Sequence, residues 1–189
     1  MTDQLTTDEK QTLLRFARQA LEFGVRGDPL PPLDLQLLTP ALRANGASFV
    51  TLTSRGDLRG CIGALEAYQP LAQDVREHAL AAALDDYRFN PVQPGELGGI
   101  RIEVSRLTAP LPLEYGSPED LLAKLRPHVD GVILKDGSRR ATFLPQVWEQ
   151  LPDPQEFLTH LCAKMGAPQS LWRKKHLDVF IYQVEEFHE

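Results

Sequence analysis

The chain has 189 residues, of which 42% are hydrophobic and 24% are charged, and its formal net charge is −6 at pH 7. This length suits one domain, or two small domains packed together, and it allows a sizeable core. The acidic balance opposes attraction to nucleic acid and to anionic membrane surfaces, so both kinds of partner are disfavoured.

The two cysteines, Cys61 and Cys162, lie far apart in the chain. They match neither a disulfide framework nor a set of zinc ligands, so no metal site is predicted. Residues 1–10 are polar and acidic, unlike a signal peptide. No apolar run approaches the ~18 residues that a bilayer span requires. These features predict a cytoplasmic protein without a membrane segment.

The N-terminal region predicts one amphipathic helix followed by a stiff connection. Thr6 and Glu9 have the spacing of a capping box. Apolar residues follow at helical spacing to about Arg26, and Gly27 is typical of a helix end. The run Pro29–Pro32 favours extended backbone, which indicates a rigid spacer.

A β-hairpin is predicted over Ala47–Gly63, because two apolar runs flank the turn-like segment Ser54–Asp57. An alanine-rich helix follows from Pro70 to about Asp85 and is expected to lie close against a sheet. Apolar and polar residues alternate in Ile100–Ser105, as in a half-buried strand.

The same order of elements recurs further along the chain. Two apolar runs flank Asp136 and Gly137, which is a strong hairpin signal. A helix begins near Pro154 and carries Cys162 on its apolar face, where a cysteine is expected to be buried. Val179–Val184 then predicts a final strand.

The doubled order of hairpin, helix and strand predicts an α+β fold with a largely antiparallel sheet and two related halves. The helices that begin near Pro70 and Pro154 are expected to occupy equivalent positions. Residues 1–189 are predicted to form one domain. A subdivision into residues 1–108, with the N-terminal helix, and residues 109–189 is an alternative.

The segment Leu58–Gly63 contains the candidate catalytic residues. Side chains alternate along a strand, so Arg59 and Cys61 are predicted to share one face, with Leu58 and Ile62 in the core on the other. An arginine near a thiol can lower the thiol pKa, and the thiolate is the nucleophile. The alternative is a small buried cysteine in a core strand, with Arg59 at the edge. A further alternative for Arg59 is that it holds an anionic substrate.

Four further residues are candidates for substrate binding. Gly60 and Gly63 leave the backbone open to the approach of another group. Asp86 and Arg88 follow the alanine-rich helix, and Arg88 could bind a carboxylate or phosphate beside Cys61. The alternative is that Asp86 and Arg88 pair with each other or with nearby backbone and fix the loop.

Other motifs give little support for a known chemistry. The basic segment Trp172–His176 is short, which favours a solvated surface over a nucleic-acid site. The sequence has no Gly-rich phosphate loop, nucleophile elbow, zinc-protease motif or C-x-x-C motif. The cofactor therefore stays unassigned.

Four blocks in order, Leu58–Gly63, Asp86–Pro91, Ile102–Thr108 and Ala141–Val147, resemble the AMMECR1 family. The resemblance implies two related α+β halves, with the cysteine motif near a cleft between a larger and a smaller part. The chain is also similar to the bacterial AmmeMemoRadiSam system protein A, which implies Memo-like and radical-SAM proteins as partners.

Two hypotheses for the function follow. In the first, the protein is an enzyme or enzyme subunit that uses Cys61 to bind or modify a small molecule or a protein substrate. In the second, it is a non-catalytic interaction module that binds a protein or, less favoured, nucleic acid. Whether Cys61 is exposed and reactive would discriminate between them.

Overall fold

A computed structural model describes residues 4–189; Met1–Asp3, part of the polar segment predicted not to be a signal peptide, lie outside the described residues. The α-helices are α1 (Thr7–Arg26), α2 (Pro40–Arg43), α3 (Leu71–Leu84), α4 (Pro118–Lys124), α5 (Pro154–Lys164) and α6 (Leu171–Lys174). The strands are β1 (Asn45–Ser54), β2 (Asp57–Gly63), β3 (Gln69–Pro70), β4 (Ile100–Leu107), β5 (Leu111–Pro112), β6 (Gly131–Asp136), β7 (Arg139–Phe143), β8 (Asp178–Tyr182) and β9 (Val184–His188). Short 3-10 helices cover Leu35–Leu37, Pro94–Gly99 and Pro145–Glu149.

The chain forms two compact units. The first extends to Thr108 and also contains Glu185–Glu189, while the second is Ala109–Val184. The alternative subdivision from the sequence assigned all of residues 109–189 to the second half. In the structure the last strand, β9, belongs to the sheet of the first unit.

The sheet of the first unit has the strand order β2-β1-β4-β9, and β3 pairs with the start of β1. β1 pairs antiparallel with both β2 and β4. Helices α1 and α3 contact each other, and α3 packs on β1 and β2. The predicted capping box of α1 is confirmed, because the Thr6 side chain accepts from the Glu9 amide and Glu9 accepts from the Thr6 amide.

The second unit has its own sheet, in the order β5-β8-β6-β7, with antiparallel pairing throughout. Trp148 and Phe157 stack with their ring centroids 3.7 Å apart in its core. The indole Nε1 of Trp148 donates to the carbonyl oxygen of Asp130 at 2.7 Å, which satisfies its buried polar group.

The prediction of a doubled arrangement is confirmed by the strand orders. β2-β1-β4 in the first unit corresponds to β7-β6-β8 in the second, and α3 and α5 follow the equivalent strands β2 and β7. Counting paired residues from each hairpin turn aligns Cys61, opposite Thr51, with Thr142, opposite Ile133. This correspondence allows the two halves to be compared residue by residue.

Candidate active site

β2 is an edge strand that contains a β-bulge. Thr51 pairs with Cys61 and Leu52 with Gly60, but Thr53 pairs with Leu58, so Arg59 is the extra residue. A bulge interrupts the alternation of side chains. The side chain of Leu58 therefore lies on the same face of the strand as that of Cys61, and Leu58 is 44% exposed. The prediction that Leu58 lies in the core opposite Cys61 is wrong for this reason.

The bulge directs Arg59 towards a carboxylate. Its Nε donates to Glu96 Oε1 at 2.8 Å, and its Nη2 donates to Glu96 Oε2 at 3.1 Å. These hydrogen bonds raise the pKa of Arg59 and lower the pKa of Glu96. Arg59 thus forms a bidentate ion pair with Glu96, whereas its predicted partners were the Cys61 sulfur or an anionic substrate.

The thiol of Cys61 is half-buried and lies against a hydroxyl group. Thr51 Oγ1 donates to Cys61 Sγ at 3.3 Å. The two residues are opposite each other on β1 and β2, where side chains of a non-hydrogen-bonded pair approach closely. Cys162, in contrast, is fully buried on α5, and this burial raises the pKa of its thiol. Cys61 is thus the more exposed of the two cysteines.

Asp86 and Arg88 occupy the open edge of β2 at Cys61. Asp86 Oδ2 accepts from the Cys61 amide at 2.8 Å, and Arg88 Nη2 donates to the Cys61 carbonyl oxygen at 3.2 Å. Arg88 also binds both carboxylate oxygens of Asp86, at 2.7 and 2.9 Å. The two side chains therefore replace the hydrogen bonds that a neighbouring strand would supply.

The electrostatics of the pair follow from this geometry. Asp86 is buried, and its hydrogen bonds from Arg88, with further ones from the amides of Cys61 and Arg88, hold its pKa well below the usual range. The hydrogen bond to Asp86 is also the main cause of the raised pKa of Arg88. The structure brings Asp86 and Arg88 to Cys61 as expected, and it shows the loop-fixing pair that the sequence analysis gave as the alternative.

The candidate glycines are needed for internal packing. A Cβ atom on Gly60 would lie 2.0 Å from the Ala82 carbonyl oxygen of α3, and one on Gly63 would lie 2.4 Å from the Phe49 ring. The space beside both glycines is occupied by protein atoms. The expectation that they keep an approach to Cys61 open is therefore corrected.

The equivalent position in the second unit shares the contact of a cation with the strand carbonyl, and its residue is a threonine. Lys164, at the end of α5, donates to the Thr142 carbonyl oxygen at 2.9 Å, as Arg88 does to Cys61. The Thr142 hydroxyl is buried and lies 3.0 Å from the Tyr182 hydroxyl. A cation therefore binds the backbone carbonyl at the equivalent positions of the edge strands β2 and β7. The residue at this position is a cysteine in β2 and a threonine in β7.

Thr51 and Glu96 were missed in the sequence analysis. The bulge in β2 places Thr51, in place of Val50, opposite Cys61 and allows Arg59 to pair with Glu96, and this bulge has no simple sequence signal. A buried network on α3 was also missed. Asp74 Oδ2 accepts from Ser48 Oγ at 2.6 Å and lies 3.1 Å from His78 Nδ1. The spacing of Asp74 and His78 by one helical turn was the available signal.

The basic segment is partly neutralised and partly buried. Trp172 is in the core of the second unit, where its Nε1 donates to Thr159 Oγ1 at 3.2 Å. Lys175 donates to Asp136 at 2.6 Å, and Arg139 pairs with the same carboxylate. The segment is therefore built around a core tryptophan and an ion-pair cluster.

Residues 4–189 contain no group of three or more histidine, cysteine or acidic side chains placed to hold a metal ion. None of the helices in this part of the chain combines the length and apolar character that a membrane span requires. The side chains at the Cys61 edge are a thiol, a hydroxyl and the Asp86–Arg88 ion pair.

The contact geometry makes a specific prediction for Arg59. Replacing Arg59 with glutamine is expected to leave the rate of Cys61 alkylation by iodoacetamide within about twofold of wild type, because the guanidinium is bound to Glu96. Glutamine at the exposed turn residue Arg55 removes the same charge and serves as the control. A reduction of about tenfold for the Arg59 variant alone would show that Arg59 acts on the sulfur.

The fold and the strand-edge cysteine define an α+β protein of two related halves. The AMMECR1 family model matches residues 14–187, and this chain belongs to that family. It is 41% identical over 189 residues to a protein of Methanothermobacter thermautotrophicus, covering 98% of this chain and 96% of the relative. A protein of Thermofilum pendens is 38% identical, with coverage of 97% and 91%.

A solved structure supports the same conclusion on the fold. The crystal structure of the uncharacterised protein PH0010 from Pyrococcus horikoshii superposes with a TM-score of 0.72 and 34% sequence identity. The alignment covers 94% of this chain and 89% of that protein. The α+β fold is therefore the AMMECR1 fold.

Proposed function

We propose that this AMMECR1-family protein is a cytoplasmic component of a system with Memo-like and radical-SAM proteins. The surface around Cys61 binds or modifies the small molecule or protein substrate of that system. The first part of the proposal rests on the resemblance to the AmmeMemoRadiSam system protein A. The second part rests on the geometry of the first unit.

One observation carries the assignment to Cys61. The backbone amide and carbonyl of Cys61 are both bound by the Asp86–Arg88 pair, while the thiol of this half-buried residue has the Thr51 hydroxyl as its hydrogen-bond partner. The backbone of the strand is thus held at Cys61, and the residue itself is half-buried. Such support of a reactive side chain by surrounding hydrogen bonds is typical of functional sites.

A specific observation favours the second hypothesis, a non-catalytic interaction module. Tyr87, between the two residues that hold the strand edge, is 94% exposed, and Leu58 is also exposed. An aromatic side chain presented by a fixed loop suits an anchor in a protein interface. In addition, the sulfur contacts a hydroxyl group, which is a poor general base.

Binding and turnover measurements with purified Memo-like and radical-SAM proteins test the proposal. If Cys61 is catalytic, Cys61→Ser abolishes turnover and leaves the dissociation constant within about twofold. If the surface is an interaction module, Tyr87→Ala weakens binding by about tenfold or more, and Cys61→Ser has little effect.

Tyr68→Ala is the matched control, because Tyr68 is a tyrosine of the same unit and is 60% exposed. Wild-type protein that binds neither partner and turns over no substrate with them would overturn the proposal of a shared system. Equal weakening by Tyr68→Ala and Tyr87→Ala would remove the assignment of the interface to the Cys61 edge.

A further inference from the structure

Two ion pairs lie along the edge strand β2, and they are exposed to solvent in opposite senses. In the pair at Cys61, the Arg88 side chain is 44% exposed and the Asp86 side chain only 2%. In the pair at the bulge, the Arg59 side chain is 16% exposed and the Glu96 side chain 36%. A group that approaches from solvent therefore meets the cation of the first pair and the anion of the second.

The exposed guanidinium of Arg88 is held beside Cys61. Its Nη2 donates to the Cys61 carbonyl oxygen at 3.2 Å and to Asp86 Oδ2 at 2.7 Å, and its Nε donates to Asp86 Oδ1 at 2.9 Å. The guanidinium carbon also lies 5.6 Å from the centre of the Phe89 ring, within the range of a cation–π contact. Among the described residues, these side-chain hydrogen bonds come from Nε and Nη2, so the Nη1 protons can donate to an acceptor from solvent.

The electrostatics distinguish the two arginines in the same way as the geometry. The hydrogen bond to Asp86 is the main cause of the raised pKa of Arg88, and the negative charge of a Cys61 thiolate is a further cause. The interactions that raise the pKa of Arg59 are both with Glu96. Arg88 is therefore the arginine whose charge acts at the sulfur, and the same attraction favours an anion that approaches there.

We propose that Arg88 is a specificity-determining residue that selects a carboxylate group on the substrate that reaches Cys61. This inference rests on the function proposed above and names the class of its substrate. The carboxylate accepts from Nη1 of Arg88, while Asp86 keeps the guanidinium in place. The single exposed charge suits a carboxylate, whereas a phosphate group carries close to two charges at pH 7 and is usually bound by several arginines.

The rates at which iodoacetate and iodoacetamide alkylate native Cys61 test this inference. In both reactions the thiolate sulfur forms a bond to the methylene carbon and iodide leaves, but only iodoacetate carries a carboxylate. Arg88→Gln is expected to lower the ratio of the iodoacetate rate to the iodoacetamide rate by about threefold or more. Arg88→Lys should retain most of the ratio, because lysine keeps the charge. A change in the exposure of Cys61 affects both reagents alike and cancels in the ratio.

Arg55→Gln is the matched control, because Arg55 is an exposed arginine in the turn between β1 and β2, and it should leave the ratio unchanged. An equal ratio in wild type and Arg88→Gln would overturn the inference without affecting the function proposed for Cys61. If neither reagent modifies native Cys61, both proposals are wrong. If Arg88→Gln does not fold, the wild-type ratio decides: it should fall as the ionic strength is raised, and a ratio that stays constant or rises overturns the inference.

Discussion

Replacing Gly60 with alanine is expected to destabilise the protein by about 3 kcal/mol, measured by urea unfolding. The added Cβ would lie 2.0 Å from the carbonyl oxygen and 3.0 Å from the carbonyl carbon of Ala82 in α3. Both atoms belong to the backbone of a packed helix, so the clash cannot be relieved by a side-chain rotation. Either α3 or the bulged edge of β2 has to move.

Gly98→Ala is the control for this substitution, because a Cβ atom at Gly98 meets nothing within 4 Å and its backbone does not need a positive φ. It should change the free energy of unfolding by less than about 0.5 kcal/mol. If the Gly60→Ala protein is as stable as the Gly98→Ala protein, the backbone of α3 at Ala82 does not pack closely against Gly60 of β2.

Replacing Asp86 with asparagine is expected to destabilise the protein by about 3 kcal/mol at pH 7. The substitution removes the charge that holds Arg88 and weakens the acceptor for the Cys61 amide. Because Arg88 is partly exposed, most of the loss comes from the buried hydrogen bonds of Asp86 and less from the ion pair. Asp57→Asn, at an exposed position at the start of β2, is the control.

The contribution of Asp86 to the stability of the protein is expected to decrease as the pH falls. The folded-state pKa of Asp86 is lowered, so its contribution is complete above the unfolded value, about 3.9, and is lost as the pH falls through the folded value. The difference in the free energy of unfolding between wild type and Asp86→Asn should therefore decrease when the pH is lowered from 7 towards about 2. A stability difference that stays constant over this range would contradict a carboxylate charged in the folded state.

Much of the fold could be predicted because local signals agree with the tertiary structure. The capping box at Thr6, the proline before α3 and the hairpin turn at Gly137 each set an element boundary through backbone chemistry. The strand β9 was missed because Glu185 and Glu186 interrupt its apolar pattern and it follows β8 after a single residue. Its pairing with the first unit depends on long-range contacts.

The candidate site was predicted less well because it depends on one inserted residue. The bulge at Arg59 shifts Leu58 to the exposed face and places the Arg59 guanidinium in an ion pair with Glu96. Neither effect follows from the alternation of side chains, which assumes regular pairing. The proximity of Asp86 and Arg88 to Cys61 was predictable, since the hairpin and α3 are adjacent in sequence, but their binding to the strand backbone was not.

Thiol labelling of the native protein, read by mass spectrometry at each cysteine, tests the central claim most directly. We expect Cys61 to be modified at least about tenfold faster than Cys162, because Cys61 is half-buried while Cys162 is fully buried and the pKa of its thiol is raised. Unfolding in urea should make the two rates similar. If Cys162 is labelled quickly while Cys61 stays protected until the protein unfolds, Cys61 is structural and the function proposed for this edge is wrong.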